Sequence, residues 1–146
     1  MTLQFRTATD ADVSLLADMN RQLILDENHR NQRLTMPELA DRMRGFLRGE
    51  YQAIIFEQDA APVAYALYRQ DADGIYLRQF FVDRQQRRRG IGRQAMHILK
   101  SEVWPPGQRI TVEVLVNNRV GHDFWKAVGF VDYAITLEMR RDDSRA

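Results

Sequence analysis

A chain of 146 residues with 45% apolar side chains is long enough to bury a core of its own and too apolar to remain disordered. Its formal charge of +1 speaks against a globally basic nucleic-acid binder, and the absence of cysteine excludes a disulfide framework, a thiolate metal site and a cysteine nucleophile. The opening MTLQFRTATD lacks the apolar core of a secretory signal and no stretch approaches the ~18 apolar residues of a membrane span, so a cytoplasmic protein without a membrane partner is expected.

Leu3 to Arg6 reads as a short strand. Thr9 and Asp12 form a capping signature ahead of Val13, Leu15, Leu16, Met19, Leu23 and Ile24, whose spacing predicts a helix from Asp10 to near Asp26. Thr35 and Glu38, with Pro37 in the first turn, open a second helix that ends at Phe46 or Leu47 before Gly49. Tyr51 to Glu57, Val63 to Arg69 and Ile75 to Val82 are strand-like and closely linked, which predicts an antiparallel meander.

A third helix is predicted from Gly90 to Trp104, stopped by Pro105, Pro106 and Gly107. Ile110 to Val116 then reads as a strand parallel to Ile75–Val82 across that crossover. Arg119 to Val128 is a short fourth helix, and Phe130 to Met139 is expected to close the sheet. The reading is one mixed α/β domain over residues 1–141, with 142–146 a polar tail.

The segment FFVDRQQRRRGIGRQAM, Phe80 to Met96, places an arginine cluster and a Gly-x-Gly turn between a strand and a helix. The first turn of a helix has backbone N–H groups without acceptors and carries partial positive charge, so it attracts phosphate. Gly90 and Gly92 allow close backbone approach, while Arg87, Arg88, Arg89 and Arg93 surround the mouth with permanently charged donors. A diphosphate suits such a site, although an arginine run can also be a solvated surface. The Walker loop does not fit, because no Gly-Lys-Ser/Thr follows. The dinucleotide fingerprint does fit by spacing, as Gly90-x-Gly92-x-x-Ala95, with Glu113 at about the distance of a ribose-binding acid. Against it, Asp83 to Arg89 separate the glycines from their strand, Glu113 lies inside its strand, and only one strand-helix-strand unit is present.

Read whole, Val82-x-x-x-x-Arg87-x-x-Gly90-x-Gly92 resembles the coenzyme A pyrophosphate loop of the GNAT superfamily of acyl-CoA-dependent N-acyltransferases. Downstream, Asn118-x-x-Gly121-x-x-Phe124-Trp125-x-x-x-Gly129-Phe130 is similar to that family's later block. The resemblance implies a central mixed, mostly antiparallel twisted sheet with a splayed parallel strand pair and about four flanking helices. It implies acetyl-CoA as cosubstrate without a metal, and a small-molecule or peptide amine as acceptor. The pantetheine arm would lie between the splayed strands on backbone groups of Phe81, Val82 and Asp83. The pyrophosphate would sit on backbone N–H groups from Arg88 through Arg89, Gly90, Ile91 and Gly92 to Arg93, with Arg87 and Arg88 as side-chain partners. Asn118 would touch the pantetheine, and Phe124 and Trp125 would pack on it; plain core packing is the alternative for Val82, Phe124 and Phe130.

The implied reaction is attack of an amine on a thioester carbonyl, which needs a proton acceptor and an oxyanion donor such as a strand N–H near Val82. Glu113 matches a position where some members of that family carry the base; an ordinary strand glutamate is the alternative, and Glu27, His29, Gln79 and Tyr76 are others. Many relatives have a tyrosine acid where this chain has Trp125, whose indole cannot protonate a thiolate. Tyr133, water or unassisted departure would replace it. By the same resemblance, Asp26, Glu27, His29, Arg30 and Arg33 line or border the acceptor side, with Gln79 a further candidate there, and small amines, amino acids, peptide N-termini and antibiotics all stay open as acceptors. A monomer or homodimer is expected. A nicotinamide-binding oxidoreductase and a noncatalytic module for acyl-CoA or nucleic acid are the other readings.

Overall fold

The structure, a computed structural model, describes residues 3–27, 33–87 and 89–141. The elements follow in chain order as β1 (Gln4–Thr7), α1 (Val13–Asp26), α2 (Met36–Arg48), β2 (Tyr51–Gln58), β3 (Ala61–Asp71), β4 (Gly74–Val82), α3 (Ile91–Ile98), β5 (Ile110–Val112) and α4 (Arg119–Ala127). The five strands form one sheet in sequence order, antiparallel from β1 to β4 and parallel between β4 and β5.

Local chemistry sets the helix starts. Thr9 accepts from the Ala11 amide and its own N–H donates to Asp12, whose carboxylate is also held by Arg6 at 2.9 Å. Thr35 and Glu38 exchange the same pair of bonds at α2, with Pro37 in the first turn. Such caps satisfy N–H groups that the helix itself leaves without acceptors. α3 runs on into a π-helical turn, Leu99–Val103, so the predicted third helix has its expected extent.

The sheet is covered on both faces. Val13, Leu16, Met19 and Leu23 of α1 and Met43 of α2 pack with Ala53, Ile55, Tyr65, Leu67 and Phe81. Ile54, Phe56, Ala64, Ala66, Ile75 and Leu77 pack against Ile91, Ala95, Met96 and Leu99 of α3 and against Trp104. Apolar residues on both faces explain the near-continuous hydrophobic runs of β2 and β3.

Two features aim the site. The β3–β4 register slips between Leu67 and Tyr68, so Gln79 pairs with Leu67 and Leu77 with Tyr68, leaving Arg78 as a bulge. The parallel pairing of β4 with β5 covers only Ile75–Ile110, Tyr76–Thr111 and Leu77–Val112, whereas β4 continues to Val82. The ladder between the two strands therefore ends at Leu77, and the last residues of β4 have no strand partner on that side, the candidate cleft.

Two expectations fail at the C-terminal side. β5 ends at Val112 rather than Val116, and residues 130–139 form no strand. Alternation of apolar and polar residues marks a strand's face, but a strand also needs a backbone partner, and β4 offers β5 none past Leu77.

Candidate active site

Backbone direction along β4 decides which of its polar groups reach the cleft. Asp83 N–H donates to the Val63 carbonyl at 2.8 Å, so odd-numbered residues here bond toward β3. Bonding direction alternates along an antiparallel strand, which turns the backbone groups of Phe80 and Val82 toward the cleft. Val82 agrees with this, since its carbonyl accepts from Arg87 Nε at 3.3 Å. This corrects the expectation for Phe81 and Asp83: Phe81 pairs with Tyr65 with its ring fully buried, and Asp83 spends its N–H on Val63 and its carbonyl on Gln86. Of the three expected residues, Val82 alone turns its backbone to the cleft, and Phe80 joins it.

Past Val82 the chain makes a 3-10 turn, Arg84–Gln86, capped by the Asp83 carboxylate on the Gln85 amide at 3.0 Å. Gly90 then takes a left-handed conformation (φ 76°) as the N-cap of α3. A side chain is strained there, which is why this turn uses glycine. Among the described residues no side chain caps α3, so the amides of Ile91, Gly92 and Arg93 at its first turn are not occupied by one. Arg89 reaches Gln86 at 3.5 Å, and Arg93 is exposed on the same turn. Arg88 lies outside the described residues.

Arg87 and Arg84 both grip the Asp26 carboxylate at the end of α1. This ties the arginine loop to the first helix and leaves the Arg87 guanidinium at the rim of the cleft. Next along α1, the half-buried Glu27 carboxyl is pushed up from its ordinary range by burial and by the Asp26 charge, with Arg87 opposing.

Gly92 serves packing as much as approach. A Cβ there would meet the Phe124 ring at 3.0 Å, so the missing side chain lets α4 close on α3. Phe80, Phe124, Trp125 and Phe130 form a chain of rings, with Phe80 and Phe124 stacked at 5.9 Å. Asn118 caps α4 by accepting from the Gly121 amide at 2.9 Å.

On the opposite face, toward α1 and α2, Tyr65 donates to Gln79 Oε1 at 2.8 Å, and Asn20 is buried beside the same hydroxyl. Burial drives the Tyr65 hydroxyl far above its ordinary range. Sequence reasoning found Gln79 but missed Asn20, Tyr65 and the Arg78 bulge; the consecutive polar pair Arg78-Gln79 inside an apolar strand was the available signal. Glu113 stands one residue past the last β4–β5 pair, where the strands begin to part, and accepts from the Tyr76 hydroxyl at 2.8 Å. Burial and this carboxylate push Tyr76 up to about 12.

Tyr133 is not brought to this place. Its exposed ring lies under the Arg109 guanidinium at 4.7 Å, at the other end of β5. His29 and Arg30 lie outside the described residues. The site thus joins the Val82 backbone, the α3 amides and the arginine loop at the mouth of the cleft, with Glu113, Tyr76, Gln79 and Glu27 toward α1 and α2.

A family model described as the Acetyltransferase (GNAT) family matches residues 16–130. No curated protein matches the chain at a significant level. Among solved structures, a possible acetyltransferase from Clostridium difficile 630 superposes with a TM-score of 0.74 at 16% identity, covering 97% of this chain and 99% of its own. Aminoglycoside N-acetyltransferase AAC(6')-Iy in complex with CoA does so with 0.74 at 15% identity, covering 96% and 95%. An acetyltransferase from Thermus thermophilus gives 0.72 at 20% identity, covering 90% and 88%. At such identities the structural likeness shows the shared fold, and the family model carries the assignment. The chain belongs to the GNAT acetyltransferase family.

Proposed function

We propose that the protein moves an acetyl group from acetyl-CoA to a primary amine by direct attack. The observation that carries this reading is the parting of β4 and β5 after Leu77–Val112, with the uncapped first turn of α3 and the arginine loop at its mouth. A pantetheine amide in that cleft can take the place of Arg87 Nε on the Val82 carbonyl. The diphosphate then meets the amides from Gly90 to Arg93, where partial positive charge is greatest. That a structural neighbour is a CoA complex supports the same cosubstrate here.

The amine nitrogen attacks the thioester carbonyl carbon, and the cleft-facing N–H groups of Phe80 and Val82 are the donors for the developing oxyanion. Glu113 accepts the amine's proton through water, with Tyr76 orienting its carboxylate. The C–S bond breaks, the carbonyl reforms as an amide, and the CoA thiolate takes a proton from solvent, because the Trp125 indole is too weak an acid to supply one and Tyr133 stands at the far end of β5. Gln79 and Glu27 border the acceptor.

Release of free thiol from acetyl-CoA with a panel of amines tests the reading. An acceptor-dependent rate is expected, lowered roughly a hundredfold by Glu113→Gln. No thiol release with any amine class, in a chain that also fails to bind CoA, would overturn it.

A further inference from the structure

We propose that the acceptor is a primary amine that also carries an anionic group, a carboxylate or a phosphate, held by Arg42 of α2 and Arg78 of β4. The proposal rests on the acetyl transfer argued above and names the class of amine that this site takes. The other arginines of α2 have acids beside them, Arg44 with Asp41 at 2.8 Å and Arg48 with Asp10 at 3.8 Å. Arg42 and Arg78 have no carboxylate partner among the described residues. Their guanidiniums lie instead over one ring, that of Phe46, at 5.5 and 4.8 Å from its centroid, and Arg78 donates to the Tyr51 hydroxyl at 3.3 Å.

Two like charges gathered on one ring repel each other. Arg42 is half-buried, and burial, followed by the charge of Arg78, pulls its guanidinium below the ordinary range. The Tyr51 hydroxyl does not relieve this, because it supplies one oxygen to two arginines, accepting from Arg69 at 2.7 Å as well. A carboxylate or phosphate does relieve it: the negative charge offsets the repulsion, and its oxygens match the planar N–H forks of the guanidiniums in pairs.

The pair stands beside the group that takes the amine's proton. Arg78 is the bulged residue of β4, and its charge opposes the burial and the Glu113 carboxylate that raise Tyr76, whose hydroxyl donates to Glu113. Arg42 likewise opposes the burial that raises Tyr65, whose hydroxyl donates to Gln79. The arginine loop is a separate place: Arg78 precedes Val82 by four residues, roughly 13 Å along a strand, and Asp26 holds Arg84 and Arg87 beyond it. A molecule with its amine at Glu113 and its anion at Arg42 and Arg78 is matched at both ends. A polyamine meets two guanidiniums that repel it.

Thiol release from acetyl-CoA with amines matched in skeleton tests this: each amino acid against its carboxamide, ethanolamine phosphate against ethanolamine, and spermidine. The best anionic amine should exceed its uncharged counterpart by about tenfold or more in kcat/KM, the scale of a charge-assisted hydrogen bond, and whether a carboxylate or the phosphate leads identifies the anion. Arg42→Gln and Arg78→Gln should each raise its KM by about tenfold and narrow that advantage, with kcat changed less. Arg78→Lys, which keeps the charge, should recover part of the loss. Calorimetric titration with CoA reports that each variant is folded. Equal use of charged and uncharged members, a preference for spermidine, refusal of every anionic amine by a chain that binds CoA, or an unchanged KM in both glutamine variants would overturn the proposal and leave acetyl transfer standing. A chain that releases no thiol and binds no CoA fails the transfer reading itself, and this proposal with it.

Discussion

Asn118 and Gly121 show how one contact sets two residue choices. Helix propensity alone favours alanine over glycine by about 1 kcal/mol at position 121. A Cβ there would lie 2.4 Å from Asn118 Nδ2 and 2.9 Å from its Cγ, so the capping side chain would have to leave. Loss of an N-cap costs about 1 kcal/mol, which cancels the gain. Gly121→Ala should therefore leave stability nearly unchanged in the native chain and raise it by about 1 kcal/mol in an Asn118→Ala background. Denaturant melts of the four proteins measure this; equal effects in both backgrounds would remove the steric coupling. The buried Tyr65–Gln79 pair is a different case, since each residue satisfies a polar group that burial would otherwise penalise.

The arginine loop acts as an element through its tie to α1. Asp26 pairs with Arg84 and Arg87 together and offsets one of their two charges, and Arg87 also occupies the Val82 carbonyl that a pantetheine amide would use. An anionic ligand arriving at this loop competes with a carboxylate already there. Asp26→Asn should thus tighten CoA binding by about fivefold, or ~1 kcal/mol for a pairing whose arginines are exposed, with the gain shrinking as salt rises. Calorimetric titration at two ionic strengths reports it; weaker binding would mean that Asp26 holds the arginines in their working position.

For the whole molecule, binding and folding are linked. A ligand at about 100 times its Kd adds ~2.7 kcal/mol to stability, which for a chain of this size raises Tm by roughly 5–10 °C. Saturating acetyl-CoA should produce that shift and NADH none, and thermal melts decide between them. A shift with NADH instead would revive the dinucleotide reading of Gly90-x-Gly92-x-x-Ala95.

Both helix-capping boxes, the β2–β4 meander, the crossover through α3 and the glycine turn that opens α3 were legible in the sequence, because each depends on neighbours a few residues away. Hydrophobic spacing, cap chemistry and glycine placement act at that range. The bulge at Arg78, the early end of β5, the backbone alternation that favours Val82 over Phe81 and Asp83, and the position of Tyr133 were settled only by tertiary structure. Each depends on which backbone lies alongside, and residues 130–139 show the limit most clearly: an apolar alternation specifies a strand's face, while only a partner edge makes it a strand.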